Sequence, residues 1–187
     1  KWVKRRPTSL SERATQTRTS PRERPSTGSD SPRREPNHIR RSNDSRRYPR
    51  RPILGVGALI IRRGCILLVE RGREPLKGSW SLPGGVLEAG ETLETGLGRE
   101  VREETGLEVK AARLFEVFER IMPDAEGRVE YHYVLLDYLC RVAGGAPKAG
   151  DDVSRVEWVA LKDLKKYRIT EGTEAVIRRA FRATRKS

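Results

Sequence analysis

Three glutamates, Glu100, Glu103 and Glu104, stand at spacing i, i+3, i+4. On a helix that spacing keeps them within an arc of about 100°, so their carboxylates share one patch. Such a run is usually a solvated acidic face, but two features oppose that reading. The apolar residues Leu93, Leu97 and Val101 recur at i, i+4, i+8, and their arc overlaps that of the acids, which places the glutamates near the buried side. The acids also occupy the last turns of a segment that stops at Gly106. There the helix dipole disfavours negative charge by about 0.3–1 kcal/mol each, and the acids repel one another. An arrangement with that cost calls for a cation. Hard oxygen ligands of this number suit Mg²⁺ or Mn²⁺, which keep waters and bridge to substrate phosphates. An ion held so neutralises phosphoryl oxygens and makes a bound water nucleophilic.

The elements that must position this patch are legible on either side of it. Residues 53–61 are apolar and β-prone, Arg62-Arg63-Gly64 reads as a turn, and residues 65–70 form a second apolar run, so a hairpin is expected. A polar loop rich in Gly and Pro covers residues 71–79. It leads to Trp80-Ser81-Leu82 and the breaker Pro83-Gly84-Gly85. The helix should run from Thr92 to Thr105, with Glu91 and Glu94 at its positive end and Gly106 as its stop. Further strands are expected at 107–118, 129–141 and 155–160, and helical stretches at 161–167 and 171–183. Strands and helices mix without a regular βαβ rhythm, which points to an α/β domain with helices packed on a mixed sheet.

Gly85, five residues, Glu91, seven residues, then Arg99-Glu100-Val101-Arg102-Glu103-Glu104-Thr105-Gly106-Leu107 resembles the Nudix box at every defining position. Trp80-Ser81-Leu82-Pro83-Gly84 resembles the family's usual approach to it. The resemblance implies a Nudix fold, a mixed β-sheet sandwiched between α-helices, over residues 53–187. It implies hydrolysis of a nucleoside diphosphate linked to a group X, with ADP-ribose slightly favoured and an oxidised or ordinary nucleoside triphosphate next. Two alternatives stay open: action on the 5′ end of RNA, and a non-catalytic nucleotide-binding module. By the same resemblance Glu100, Glu103 and Glu104 hold the divalent ions with help from a backbone carbonyl near Gly84 or Gly85, and Arg99 holds Glu91 in place. Gly96 and Gly98 depart from the pattern, since good helix formers are usual there, and each should weaken the helix by about 0.8–1 kcal/mol.

A carboxylate must take the proton from the attacking water. Glu100 ranks first for that role and Asp152 second, with Asp151 and Glu157 in the same later loop and strand. Arg71 and Lys77, on the loop entering the box, are candidates to contact phosphates. Trp80, Trp158 and His132 read as packing residues, in preference to base stacking or catalysis. Pro123, sixteen residues past Leu107, matches a spacing seen in ADP-ribose pyrophosphatases of the family, which is weak evidence for one proline.

Residues 1–52 hold sixteen Lys and Arg against five Asp and Glu, and so carry nearly all of the chain's net charge of +13. Arg, Ser, Thr and Pro dominate there without apolar periodicity, so the segment is expected to be disordered. It reads first as a solvated extension, then as an electrostatic arm for nucleic acid or another polyanion, and last as a targeting peptide. Residues 53–187 are close to neutral. No run is long and apolar enough to span a membrane. The only cysteines, Cys65 and Cys140, fit reduced, buried residues of a cytoplasmic protein. A small nucleotide is the expected partner, with a homodimer left open.

Overall fold

The computed structural model describes residues 46–74, 76–150 and 152–184. The disorder expected of residues 1–52 lies, over residues 1–45, outside the described residues; residues 46–52 are described, with Arg47 and Tyr48 in contact with the domain. Among the described residues there are seven strands and two α-helices: β1 (Ile53–Arg62), β2 (Cys65–Arg71), β3 (Trp80–Ser81), β4 (Gly84–Val86), α1 (Leu93–Thr105), β5 (Leu107–Pro123), β6 (Val129–Gly145), β7 (Val153–Ala160) and α2 (Thr173–Thr184). The segment expected to be helical at 161–167 is a 3₁₀ helix, Leu161–Lys166.

The hairpin between β1 and β2 exists but is short. Arg63 and Gly64 both have positive φ, as a two-residue turn with the right twist requires. Only two residue pairs follow, Ile61 with Ile66 and Arg62 with Cys65. Beyond them the strands part. β1 pairs in parallel with β6 from Ile53 to Ile60 and carries β4 on its other side. β2 is flanked by β7 and β3. β6 in turn pairs with β5 along its length. One parallel pair in an otherwise antiparallel arrangement makes the sheet mixed.

The apolar run of β1 is continuous because both of its faces are covered. Val56, Ala58 and Ile60 pack with Leu67, Leu97, Val101 and Leu107, on the α1 side. Leu59 packs with Ile66, Leu68, Val176, Ile177 and Phe181, on the α2 side. The sheet is therefore sandwiched between the two helices. Trp80 is buried with Tyr167 edge-on at 5.0 Å, and Trp158 packs on the α1-side core. Cys140 is buried and Cys65 partly so, and neither is in a disulfide. No helix among the described residues is long and apolar enough to cross a membrane.

The chain ahead of β1 is held by polar contacts. Tyr48 donates its backbone N–H to the Glu130 carbonyl at 2.8 Å and its hydroxyl to Asp124 Oδ2 at 2.8 Å. The guanidinium groups of Arg47 and Arg128 each lie 5.2 Å from the centre of its ring, cation–π distances. Arg47 also pairs with Glu130 at 2.8 Å. Burial pushes the Asp124 carboxyl up, but the hydrogen bonds from Tyr48 and Arg128 bring it down to about 2.

Candidate functional site

The helix that carries the glutamates is closed at both ends. Thr92 caps its start, accepting from the Thr95 N–H while the Thr95 hydroxyl accepts from the Thr92 N–H. At the far end Gly106 takes the left-handed conformation and donates to the Arg102 carbonyl at 2.9 Å. Lys148 and Gly150 then donate to the carbonyls of Thr105 and Glu104 at 2.9 and 3.1 Å. These two donors satisfy carbonyls that would otherwise add to the negative field at the acids. Leu97 and Val101 are fully buried, which fixes the rotation of the helix and turns Glu100 and Glu104 inward.

Gly96, one of the two departures from the box pattern, has a local reason. A Cβ there would sit 2.6 Å from Leu87 Cδ1 and 2.9 Å from Glu91 Oε2, so a larger residue would push away the loop that holds Glu91. Gly98 has nothing within 4 Å of such a Cβ, and the structure gives no reason for glycine there.

Arg99 is the hub of the site. Its Nε and Nη2 bind the two oxygens of Glu91 at 2.7 and 3.0 Å, and Nη2 also donates to the Val86 carbonyl at 3.2 Å. Nη1 reaches Glu100 Oε1 at 3.0 Å and Glu103 Oε2 at 3.2 Å. The paired bonds from Arg99, with the Glu88 N–H, hold the Glu91 carboxyl down at about 2. This ties the loop after β4 to the helix.

The glycines of β4 form the opposite wall. Gly84 has φ +146°, and a Cβ there would strike the Val56 carbonyl. A Cβ on Gly85 would collide with the Glu100 carboxyl group. Gly84 donates its N–H to Glu104 Oε2 at 2.9 Å. Burial pushes the Glu104 carboxyl up to about 8; the Gly84 N–H and Arg71 oppose that, and Glu100 and Asp152 add to it. Burial likewise raises Glu100, against the pull of Arg99. Glu103 is more exposed, its side chain 60% accessible.

The helical spacing thus brings the three carboxylates to one end of α1. Among the described residues, however, no three acidic, histidine or cysteine side chains close around a single point. The reason is visible: Arg99 draws Glu100 and Glu103 to itself while Glu104 turns to the Gly84 N–H. The donor set nevertheless fits a hard dication. Two inward carboxylates have raised affinity for positive charge, and a proton or a metal ion can answer it.

The other sequence candidates are more scattered. Asp152 is exposed and paired with Arg73 at 2.8 Å, and its charge still reaches Glu104. Glu157 is bound by Arg155 and by the Tyr167 hydroxyl. Arg71 ends β2 and acts on Glu104. Lys77 is exposed on the loop before β3. Asp151 lies outside the described residues. His132 is partly buried on β6, its Nε2 without a hydrogen-bond partner among the described residues. Residues that sequence reasoning passed over include Arg46, whose charge acts on Glu100, and Arg120 and Tyr133, which pair across β5 and β6.

A glycine strand facing a capped helix with an inward acidic end, inside a mixed sheet covered on both faces, defines an α/β domain built around a carboxylate site. The chain belongs to the Nudix family: the NUDIX domain matches residues 51–180. It is 39% identical over 115 residues to the ADP-ribose pyrophosphatase of Methanocaldococcus jannaschii, an alignment covering 62% of this chain and 66% of that protein. It is equally 39% identical, over 114 residues, to the putative 8-oxo-dGTP diphosphatase 2 of Mycobacterium tuberculosis, covering 60% and 75%. The solved structure of a MutT NUDIX hydrolase from Burkholderia pseudomallei superposes with a TM-score of 0.61 at 34% identity, covering 68% of this chain and 97% of that one. The first three curated relatives are spanned over 66%, 27% and 62% of their own lengths.

Proposed function

We propose that the protein hydrolyses a pyrophosphate bond in a nucleoside diphosphate linked to X, using Mg²⁺ or Mn²⁺. The observation that carries this reading is the pair of inward carboxylates, Glu100 and Glu104, raised by burial against the Gly84–Gly85 wall. Glu100, Glu103 and Glu104 would hold the metal, with the Gly85 carbonyl, and the metal when bound would supply charge neutralisation and an acidified water. Arg99 and Glu91 keep the helix and the β4 loop in register while substrate enters. Water attacks one phosphorus, the bond from that phosphorus to the bridging oxygen breaks, and two phosphate products leave. Glu100 takes the proton released by the water, and Asp152 is the second candidate because its charge reaches the site. Arg71 and Lys77 contact phosphate oxygens.

Two relatives of equal identity differ in the substrates their names give, so ADP-ribose and nucleoside triphosphates, oxidised ones included, are the substrates favoured. The test is a panel of these, together with triphosphate-ended RNA, incubated with Mg²⁺ and with chelator while phosphate products are counted. Hydrolysis of at least one small nucleotide, abolished by chelator, is expected. A chain that binds the panel but turns over none of it would be a binding module, and this reading would fall.

A further inference from the structure

Most of the large apolar side chains that the fold leaves exposed lie together, and strand register puts them there. β1, β6 and β5 run side by side, and directly paired residues share a face of the sheet. Leu114 continues the row of Ala58 and Tyr138, and Val117 that of Val56 and Leu136. Glu119 continues the row of Leu54 and Val134, and Ile121 stands beside His132. The four rows meet β6 at alternate residues, so all of them face the same way. Val56, Ala58, Leu136 and Tyr138 belong to the α1-side core, which identifies the face. α1 covers the inner part of it and then stops. Leu54, Leu114, Val117 and Ile121 are left between 39% and 55% exposed, and Val129, at the mouth of the β5–β6 turn, is exposed as well.

Three strands about 4.8 Å apart, over about eight residues, make about 400 Å² of sheet face. That is as much apolar surface as a monomer ordinarily leaves bare, and about half of the roughly 800 Å² that each partner brings to a standard interface. The β5–β6 turn and the segment at Leu87, whose N–H bonds to the Leu54 carbonyl, flank the patch and can supply the remainder. Glu119 is the one acidic or strongly basic side chain on it, so the occupant must be apolar.

The parts of the chain outside the described residues lack the composition for that role. Residues 1–45 hold five apolar residues, Trp2, Val3, Leu10, Ala14 and Ile39, among many arginines, and the last three residues are Arg185, Lys186 and Ser187. The outer edge of β5 is no substitute for the face. Register shifts at Ala111/Arg113 and Leu114/Glu116 break the even row of N–H and C=O groups that an added strand would need. A second copy supplies a matching apolar face.

We infer that this face joins two copies of the chain, sheet packed against sheet about a twofold axis. Each copy presents the same patch, so the contact is isologous and closes at two. The aliphatic rows of one sheet fill the space above those of the other, as in packed β-sheets generally. Glu119 opposes the contact, because in each copy it loses water without gaining a counter-charge.

Sedimentation equilibrium of the full chain, from about 0.1 to 100 µM, tests this. The parent's mass rises from 21.2 kDa towards twice that value. Val117→Asp and Ile121→Asp each act twice in a symmetric dimer and weaken association by more than about a hundredfold. Both leave the circular dichroism of the monomer unchanged, since the two side chains are already exposed in one copy. Glu119→Ala works in the opposite direction and tightens the dimer by about tenfold, a gain that no misfolded variant produces. Lys110→Asp, at a position paired with Arg141 on the other face, leaves association as it was. The parent's melting temperature rises with protein concentration, and that of Val117→Asp does not. A parent that stays at 21.2 kDa throughout overturns the inference, even if some other protein covers the face. A Val117→Asp chain that associates like the parent, or a Glu119→Ala dimer no tighter than the parent's, overturns it equally.

Discussion

Arg99 gives two hydrogen bonds to Glu91 and one each to Glu100 and Glu103, so one guanidinium is the counter-charge for three carboxylates. Glu103 is the most exposed of these and the least dependent on it, and surface pairs of that kind contribute about 0–1 kcal/mol. Without metal, Glu103 mainly adds repulsion at the unfavourable end of α1. Glu103→Gln should therefore melt at the parent's temperature or slightly above it in chelator. It should be nearly inactive, and gain less than the parent when Mg²⁺ is added, because only a ligand bound to the folded state raises stability. Calorimetric melting with and without Mg²⁺, beside a turnover assay, checks this; near-normal turnover or a marked drop in chelator would make Glu103 structural. The glutamates and Arg99 were legible in the sequence because they lie within one short segment whose spacing is set by the helix itself. Arg120 and Tyr133 were not. They meet through a pairing between distant strands, and β5 shifts register against β6 at four places, so no period counted along either strand tells which residues face each other.

At the scale of elements, the two glycines inside α1 separate propensity from packing. Gly98 is in open space, so Gly98→Ala should stabilise the fold by about 0.8–1 kcal/mol, the helix-propensity difference. Gly96→Ala gains the same propensity but forces Leu87 and Glu91 aside, and should leave the protein no more stable than the parent. Urea unfolding of both variants decides it, and a stabilised Gly96→Ala would show that the Glu91 loop yields freely. The sequence placed α1 within one residue of its start because Thr92, Gly106 and the apolar stripe are all local signals. It cut β5 and β6 short, ending them near Phe118 and Arg141 where they run to Pro123 and Gly145. The extra length comes from each strand pairing with the other, and exposed residues such as Val117 and Ile121 blur the alternation that marks a strand's limits.

For the whole molecule, pH is a sensitive probe of the sheet. Asp137 is buried on β6 beside Gly57, and burial, with Glu116 across the strand pair, raises its carboxyl to about 6. The folded state therefore holds this proton more tightly than the unfolded chain, so the group destabilises the fold progressively as pH rises from about 4 to about 6. Above that window the penalty is constant, at most about 3 kcal/mol. Asp137→Asn should remove it, giving a stability advantage at pH 7 that vanishes near pH 4, measured by denaturant unfolding at both values. An advantage that is the same at both would assign the effect to packing. The switch from a basic to a near-neutral composition was plain in the sequence, but the docking of Arg47 and Tyr48 was not, because it uses polar side chains and cation–π contacts that leave no apolar periodicity. The parallel pairing of β1 with β6 joins residues about 80 positions apart, from Ile53 with Tyr133 to Ile60 with Cys140. During synthesis the first and most apolar strand of the domain must wait for most of the chain before it finds its main neighbour. Closure over so long a separation is slow. The newly made chain thus passes through a stage in which Ile53–Ile60 is an open edge, and vectorial translation exposes it to aggregation and to chaperones until β6 arrives.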